Sequence, residues 1–319
     1  MELASALGAG LLTRSTRGGS PTSQPIADPA PPAAGRPSST VARVYSPLVL
    51  PDRVPQPVLL REMIESAVVE VTSAKNVDAA WQGLFRPDDV ILLKFNQSGR
   101  DRIGTTPAFA TQLVGSLLRA GIDADRIIAL EASPGIPDLT KTRKPDPRWQ
   151  GRPVRFGRCG EDVFSAALDQ ATAIINIPFI KHHARATMTG CLKNLSHGLI
   201  RHPARFHAEG CHPAIAEINA APELRSKVRL HLVDGLRVVF DKGAAATDAD
   251  MHPHRGVLAG FDPVAVDAVG FSILNEIRAI RRLPPLGTGG RVPLQLQLAH
   301  RAGLGRYDAA EINESRITL

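Results

Sequence analysis

The chain has 319 residues, 43% of them apolar and 22% charged, an ordinary globular composition that excludes collagen-like, coiled-coil and wholly disordered chains. Its 38 Lys plus Arg outweigh 31 Asp plus Glu, and the resulting charge of +7 favours anionic partners. Aromatics at 4% offer no base-stacking surface, so nucleic acid is not an expected partner, and no apolar run reaches the roughly 18 residues of a transmembrane segment.

Residues 13–40 are rich in Ser, Thr, Pro, Gly and Ala, too polar and too small to offset the entropy of ordering, and are expected to be a disordered leader. Ahead of them LASALGAGLL has the length of a signal-peptide apolar region, yet Glu2 stands where a basic residue belongs. Two readings follow: a truncated export signal, which would place the protein in the periplasm or outside the cell, or a plain disordered start on a cytoplasmic protein.

From residue 41 to 319 apolar runs of strand length alternate with segments of helical period, which predicts a single large α/β domain. Its sheet should be mostly parallel, with helices on both faces. Expected strands cover 41–50, 88–96, 126–133, 171–178, 228–236 and 256–261, and the final RITL is an edge-strand candidate. Expected helices cover 57–74, a segment from Pro107 to Gly121, 161–170, 213–221, 263–278 and 292–302. The proline-rich stretch 134–160 reads as an irregular excursion, and 184–212 as too broken by Gly and Pro for a long regular element.

In open parallel sheets ligands bind beyond the carboxyl ends of the strands, so the polar residues found there carry the functional reading. They are Lys94 and Asn96, then Glu131 and Ser133, then Lys181, His182 and His183, then Asp234. A Lys inside the apolar run ILLKFN either reaches water with its tip or meets a carboxylate or anionic partner, because burying it alone costs several kcal/mol. Lys193 and Asn194 follow in the same stretch as Lys181 and His183. Together Lys94, Asn96, Lys181, His183, Lys193 and Asn194 suit a small anion, a carboxylate or phosphate, whose neighbouring atom exchanges a proton.

Nine of the ten histidines lie between His182 and His254, and His197, His202, His207 and His212 recur every five residues, a spacing that fits neither a helix face nor a strand and predicts loops. No strong metal motif is present, but loop histidines could converge with carboxylates on a divalent metal, with His183, His207, Asp234, Asp262 and Asp267 as candidate ligands. Asp262 before Pro263 also reads as a helix N-cap, and Asp267 on the apolar face of that helix demands a buried partner. The three cysteines have no C-x-x-C spacing, and phosphate-loop, dinucleotide-binding and serine-hydrolase motifs are missing.

Several of these stretches, in order, resemble the family known as domain of unknown function 362. The resemblance rests on Lys94 and Asn96 after an early strand, Asn176, Pro178, Lys181 and His183 in an N-x-P-x-x-K-x-H run, and the Lys193–Asn194 pair. Arg205 and His207, Asp234–Gly235 and AGFDPVAVD with Asp262 and Asp267 complete it. It implies ligand-binding roles for Arg205 and His207, which join Glu131 and Ser133 from the strand ends, and raises the odds of a twin-arginine-type leader. Members labelled as iron–sulfur proteins carry clustered cysteines, which this chain lacks, so an iron–sulfur cluster is not expected here. The expected function is an enzyme working on a small anionic substrate by proton transfer or metal-assisted chemistry. The alternatives are a non-catalytic anion- or metal-binding protein of the cell envelope, or an accessory to an electron-transfer system with a redox partner.

Overall fold

Apolar patterning decides where the chain enters the sheet and where it covers it. The computed structural model describes residues 39–97, 103–132, 142–287 and 292–319; the leader 1–38 and Ser133 lie outside the described residues. β1 (Ser39–Tyr45) begins at the last two residues expected for the leader. α1 (Pro57–Thr72) follows with Pro57 at its first position, and buries the expected stripe of Leu60, Met63, Ile64, Ala67, Val68 and Val71. α2 (Val77–Leu84) starts where the Asn76 side chain accepts from the Ala79 amide at 2.9 Å. β2 (Ile91–Lys94), α3 (Pro107–Arg119, capped by Thr106) and β3 (Ile127–Leu130) complete the first parallel turn of the fold.

β4 (Val154–Phe156) and β5 (Gly160–Asp162) form a separate antiparallel hairpin, and α4 (Ala167–Gln170) is a single turn. The expected helix 161–170 is thus confined to its last residues. The strand expected over 171–178 is β6 (Ala173–Asn176), ended before Pro178, which has no amide to offer a ladder, and a second strand not expected from the sequence, β7 (Phe179–His183), follows directly. β8 (Thr187–Thr189), α5 (Cys191–Gly198), α6 (His212–Ala220) and α7 (Pro222–Arg225) come next, so the stretch expected to be irregular contains a helix, α5. The long β9 (Val228–Val239), short β10 (Met251–His252), β11 (Gly256–Gly260), α8 (Pro263–Ile280), α9 (Leu294–Arg301) and β12 (Ile312–Thr318) close the chain.

The sheet runs in the order β12-β1-β11-β9-β6-β2-β3, with β7, β8 and β10 attached around the far half of β9. It is mostly parallel: along that path β11 runs opposite to β1 and β9, and the other strands share one direction. Strand alternation splits the apolar residues between two faces. Ile91, Leu93, Ile175 and Leu232 pack with α1, α2 and α3, whereas Leu92, Ile128 and Ile174 pack with α4, α5, α6 and α7. α8 covers Val41, Val233 and Leu258 on the second side. The result is a single α/β domain with helices on both faces. Among the described residues no helix is long and apolar enough to cross a membrane.

Candidate functional site

Lys94 ends β2 with its side chain fully buried, and the charge is met: Nζ donates to Glu131 Oε2 at 2.9 Å and to the Phe95 carbonyl at 2.8 Å. Of the two sequence readings of this lysine, the structure takes the one with a carboxylate partner. Glu131 reaches it from a left-handed residue just after β3 (φ 56°). Gly198, the last residue of α5, leaves the necessary room, because a Cβ there would sit 2.5 Å from Lys94 Nζ. The ammonium therefore lies under the carboxyl end of a helix, where the helix dipole is negative.

A chain of amides spans the strand ends. Asn96 Nδ2 donates to Asn194 Oδ1 (2.8 Å), and Asn194 Nδ2 donates to Asn176 Oδ1 (2.7 Å) and the Lys94 carbonyl (3.2 Å). Asn176 Nδ2 in turn contacts the Cys191 carbonyl and His231 Nδ1, both at 3.0 Å. Lys181, on β7, donates to Asn96 Oδ1 at 3.0 Å and to the Ile103 carbonyl at 3.1 Å. These acceptors are all neutral, and burial, helped by the nearby Lys193 cation, draws the Lys181 ammonium down to about 7.

Lys193 and Asn194 project from α5. The amino end of that helix is held by Asp267 of α8, whose carboxylate accepts from the Cys191 and Leu192 amides, the latter at 3.1 Å. The buried partner that Asp267 demanded is thus a helix N-terminus. Desolvation still lifts its carboxyl to about 6. Gly190 leads into the helix because any side chain there would collide with Asp267.

A cavity of about 310 Å³ opens beside this scaffold, lined by Asn96, Glu131, Lys181, His183, Lys193, Asn194, His197 and His207 among others. The Lys193 side chain is buried, and among the described residues no acceptor reaches its ammonium; desolvation lowers its proton affinity. His183 takes the Arg185 and Ala186 amides on Nδ1 at 3.2 and 3.0 Å, which leaves the proton of the neutral ring on Nε2. Burial, then the Lys193 cation, push His183 down to about 3, so it is neutral at physiological pH.

The histidines distribute differently from the loop reading. His197 sits on α5, His207 in the 3-10 stretch Pro203–Cys211, and His212 opens α6. His207 stacks on His183 with centroids 5.8 Å apart and meets His197 edge-on at 5.0 Å. Ligand atoms of His197, His207 and Cys211 all lie within 4.8 Å of one another. The sequence reading missed His197 and Cys211 as a pair; the H-x9-H-x3-C spacing around His207 is its only trace.

Other sequence candidates are placed elsewhere. Asp234 accepts from the Thr106 amide and hydroxyl at 2.7 and 2.8 Å, and Asp262 caps α8 through the Val264 and Ala265 amides at 2.8 and 2.9 Å. With Asp267 they are helix and turn caps, outside the cavity lining. Arg205 is exposed, its guanidinium 5.9 Å from the Phe206 ring centroid.

Residues 142–272 match the model of a family described as domain of unknown function (DUF362). Comparison with curated proteins returns no match. Among solved structures, lactate racemase apoprotein from Thermoanaerobacterium thermosaccharolyticum is similar at 13% identity and a TM-score of 0.46, over 76% of this chain and 58% of its own. A structural-genomics protein from Thermotoga maritima is similar at 14% identity and a TM-score of 0.43, over 72% of this chain and 60% of its own. The matched part of each of these solved proteins is therefore less than two thirds of its length.

Proposed function

Starting from a chain that belongs, through residues 142–272, to the DUF362 family, we propose that it is a small-molecule enzyme that binds a compact anion, a carboxylate or phosphate, and moves a proton on it. One observation carries this reading: the buried Lys193 ammonium faces a cavity with no acceptor among the described residues. A desolvated, unpaired charge costs several kcal/mol, and an anion in the cavity removes that cost.

The neighbouring groups have distinct parts in this proposal. Lys193 holds the anion, and His183 Nε2–H donates a neutral hydrogen bond to it. Lys181, poised at about 7, takes a proton from the bound molecule or returns one. Asn96 and Asn194 are positioning residues, since their amides engage each other and Lys181. Lys94, neutralised by Glu131, anchors the scaffold.

Two experiments test the reading. Phosphate, sulfate or a dicarboxylate should raise the melting temperature more than chloride at equal ionic strength, and Lys193→Met should abolish the difference. Incubation of a library of carboxylates with the protein in heavy water, followed by proton NMR, should show loss of the signal at a carbon next to a carboxylate, and Lys181→Met should stop it. Anion stabilisation without exchange or turnover would favour the non-catalytic binding protein instead.

A further inference from the structure

We infer that His197, His207 and Cys211 form a binding site for one divalent cation of the zinc type, at the wall of the same cavity. The three ligand atoms already lie within 4.8 Å of one another, His197 on α5, which also carries Lys193, and His207 and Cys211 on the 3-10 stretch Pro203–Cys211. Two imidazoles and a thiolate are the donors that borderline-soft ions prefer.

The His207 tautomer and the orphaned His197 nitrogen support this beside the spacing. His207 Nδ1 lies 2.9 Å from the Pro203 carbonyl, which can only accept, so Nδ1 carries the proton and Nε2 is a bare lone pair. Ser196 Oγ lies 3.0 Å from His197 Nδ1, a contact that either neutral tautomer of this ring can make. His197 Nε2 is buried and has no hydrogen-bond partner among the described residues. An outward-facing N–H held by a backbone carbonyl or hydroxyl, with the other nitrogen bare, is the arrangement of a metal-ligating histidine. A bare His207 Nε2 and a buried, unpartnered His197 Nε2 converge beside a buried thiol, and an ion between them would give both nitrogens a partner.

Binding replaces the Cys211 thiol proton, released to solvent, with a metal–sulfur bond, and the two nitrogen lone pairs complete three bonds to the ion. The thiolate charge offsets part of the repulsion from Lys193 nearby. Both histidines line the cavity while Cys211 is buried behind it, so the fourth position faces the cavity and is free for water or an anion.

The test uses metal-free full-length protein without a histidine tag, titrated anaerobically with Co2+ and then Zn2+. Wild type should take up one Co2+ per chain with a thiolate-to-cobalt charge-transfer band, and Zn2+ should displace it. Cys211→Ser should lose the band, whereas Cys159→Ser should keep it. His207→Gln, at a half-buried position, should weaken uptake by about tenfold or more and decides the matter if Cys211→Ser fails to fold. No stoichiometric uptake by folded wild type, or a band that survives Cys211→Ser, overturns the site. The phosphate-induced melting shift, measured on the metal-free protein, stands or falls separately.

Discussion

Two buried polar clusters meet at the carboxyl ends of the strands, and they are built on opposite principles. In the Asn96–Asn176–Asn194 cluster each amide group named above has a partner between 2.7 and 3.2 Å. Along the cavity wall, by contrast, the largely buried Lys193 meets no acceptor among the described residues, and His197 Nε2 is buried without a partner. Saturated networks rigidify; unsaturated ones are stable only if something else supplies the missing partner. On the proposed function the first cluster is scaffold and the second is where a ligand would bind.

The contrast can be broken from its saturated side. Asn194→Ala strands Asn96 Nδ2 and Asn176 Oδ1 together, while the Lys94 carbonyl keeps the Ile177 amide, and should cost about 3 kcal/mol in urea unfolding. From the unsaturated side the effect reverses: Lys193→Met replaces an unpaired ammonium with an apolar chain of similar length. It should leave stability in chloride within about 1 kcal/mol of wild type or raise it. In saturating phosphate the mutant should instead fall behind wild type, by about 2.7 kcal/mol at a hundredfold excess over the wild-type dissociation constant.

Lys181 sharpens the comparison through pH. Its ammonium is disfavoured in the folded state, at about 7 against the ordinary 10.5, so above pH 7 the unfolded chain binds more protons than the folded one. Stability should therefore rise with pH between about 7 and 9, below the range of the buried thiols, and Lys181→Met should flatten that rise. Among the described residues the charges facing the group are Lys193, Glu131 and Lys94, and Lys193, also lowered, adds to the rise in the same direction. The smallest effect belongs to Arg205→Ala, expected to change stability by less than about 0.5 kcal/mol and to leave the anion-dependent melting shift intact. A lost shift would bring Arg205 into the site.

Much of this architecture was legible in the sequence, because local patterning encodes it. The α1 stripe, the strand ending at Lys94 and the Asp262–Pro263 helix start all depend on residues within a few positions of one another. α5 was not legible: glycines at both of its ends imitate a loop, and the carboxylate that caps it comes from Asp267, 75 residues away from Leu192. The loop reading of His197 failed with it. Cys211 was invisible as a ligand because the irregular 3-10 stretch, with left-handed Glu209 and Gly210, brings it back toward His197 in a way no spacing rule anticipates. Similarly, helix 161–170 was overread because the hairpin partner of β4 occupies its first turn.

β9 deserves its place at the centre of the sheet for a reason beyond topology. Its first half is clasped by β6 and β11, and its second half by β7 and β10, so one continuous strand shares hydrogen bonds with both parts of the molecule. Lys181 is carried by a strand zipped to that beam. Hydrogen exchange at the β9 amides should consequently report whole-molecule unfolding rather than local fluctuation, and the cavity wall formed by β7 has no private route to opening. Access for small molecules must then come from the side of α5 and the Pro203–Cys211 stretch, where the backbone bonds are local and the cooperative unit ends.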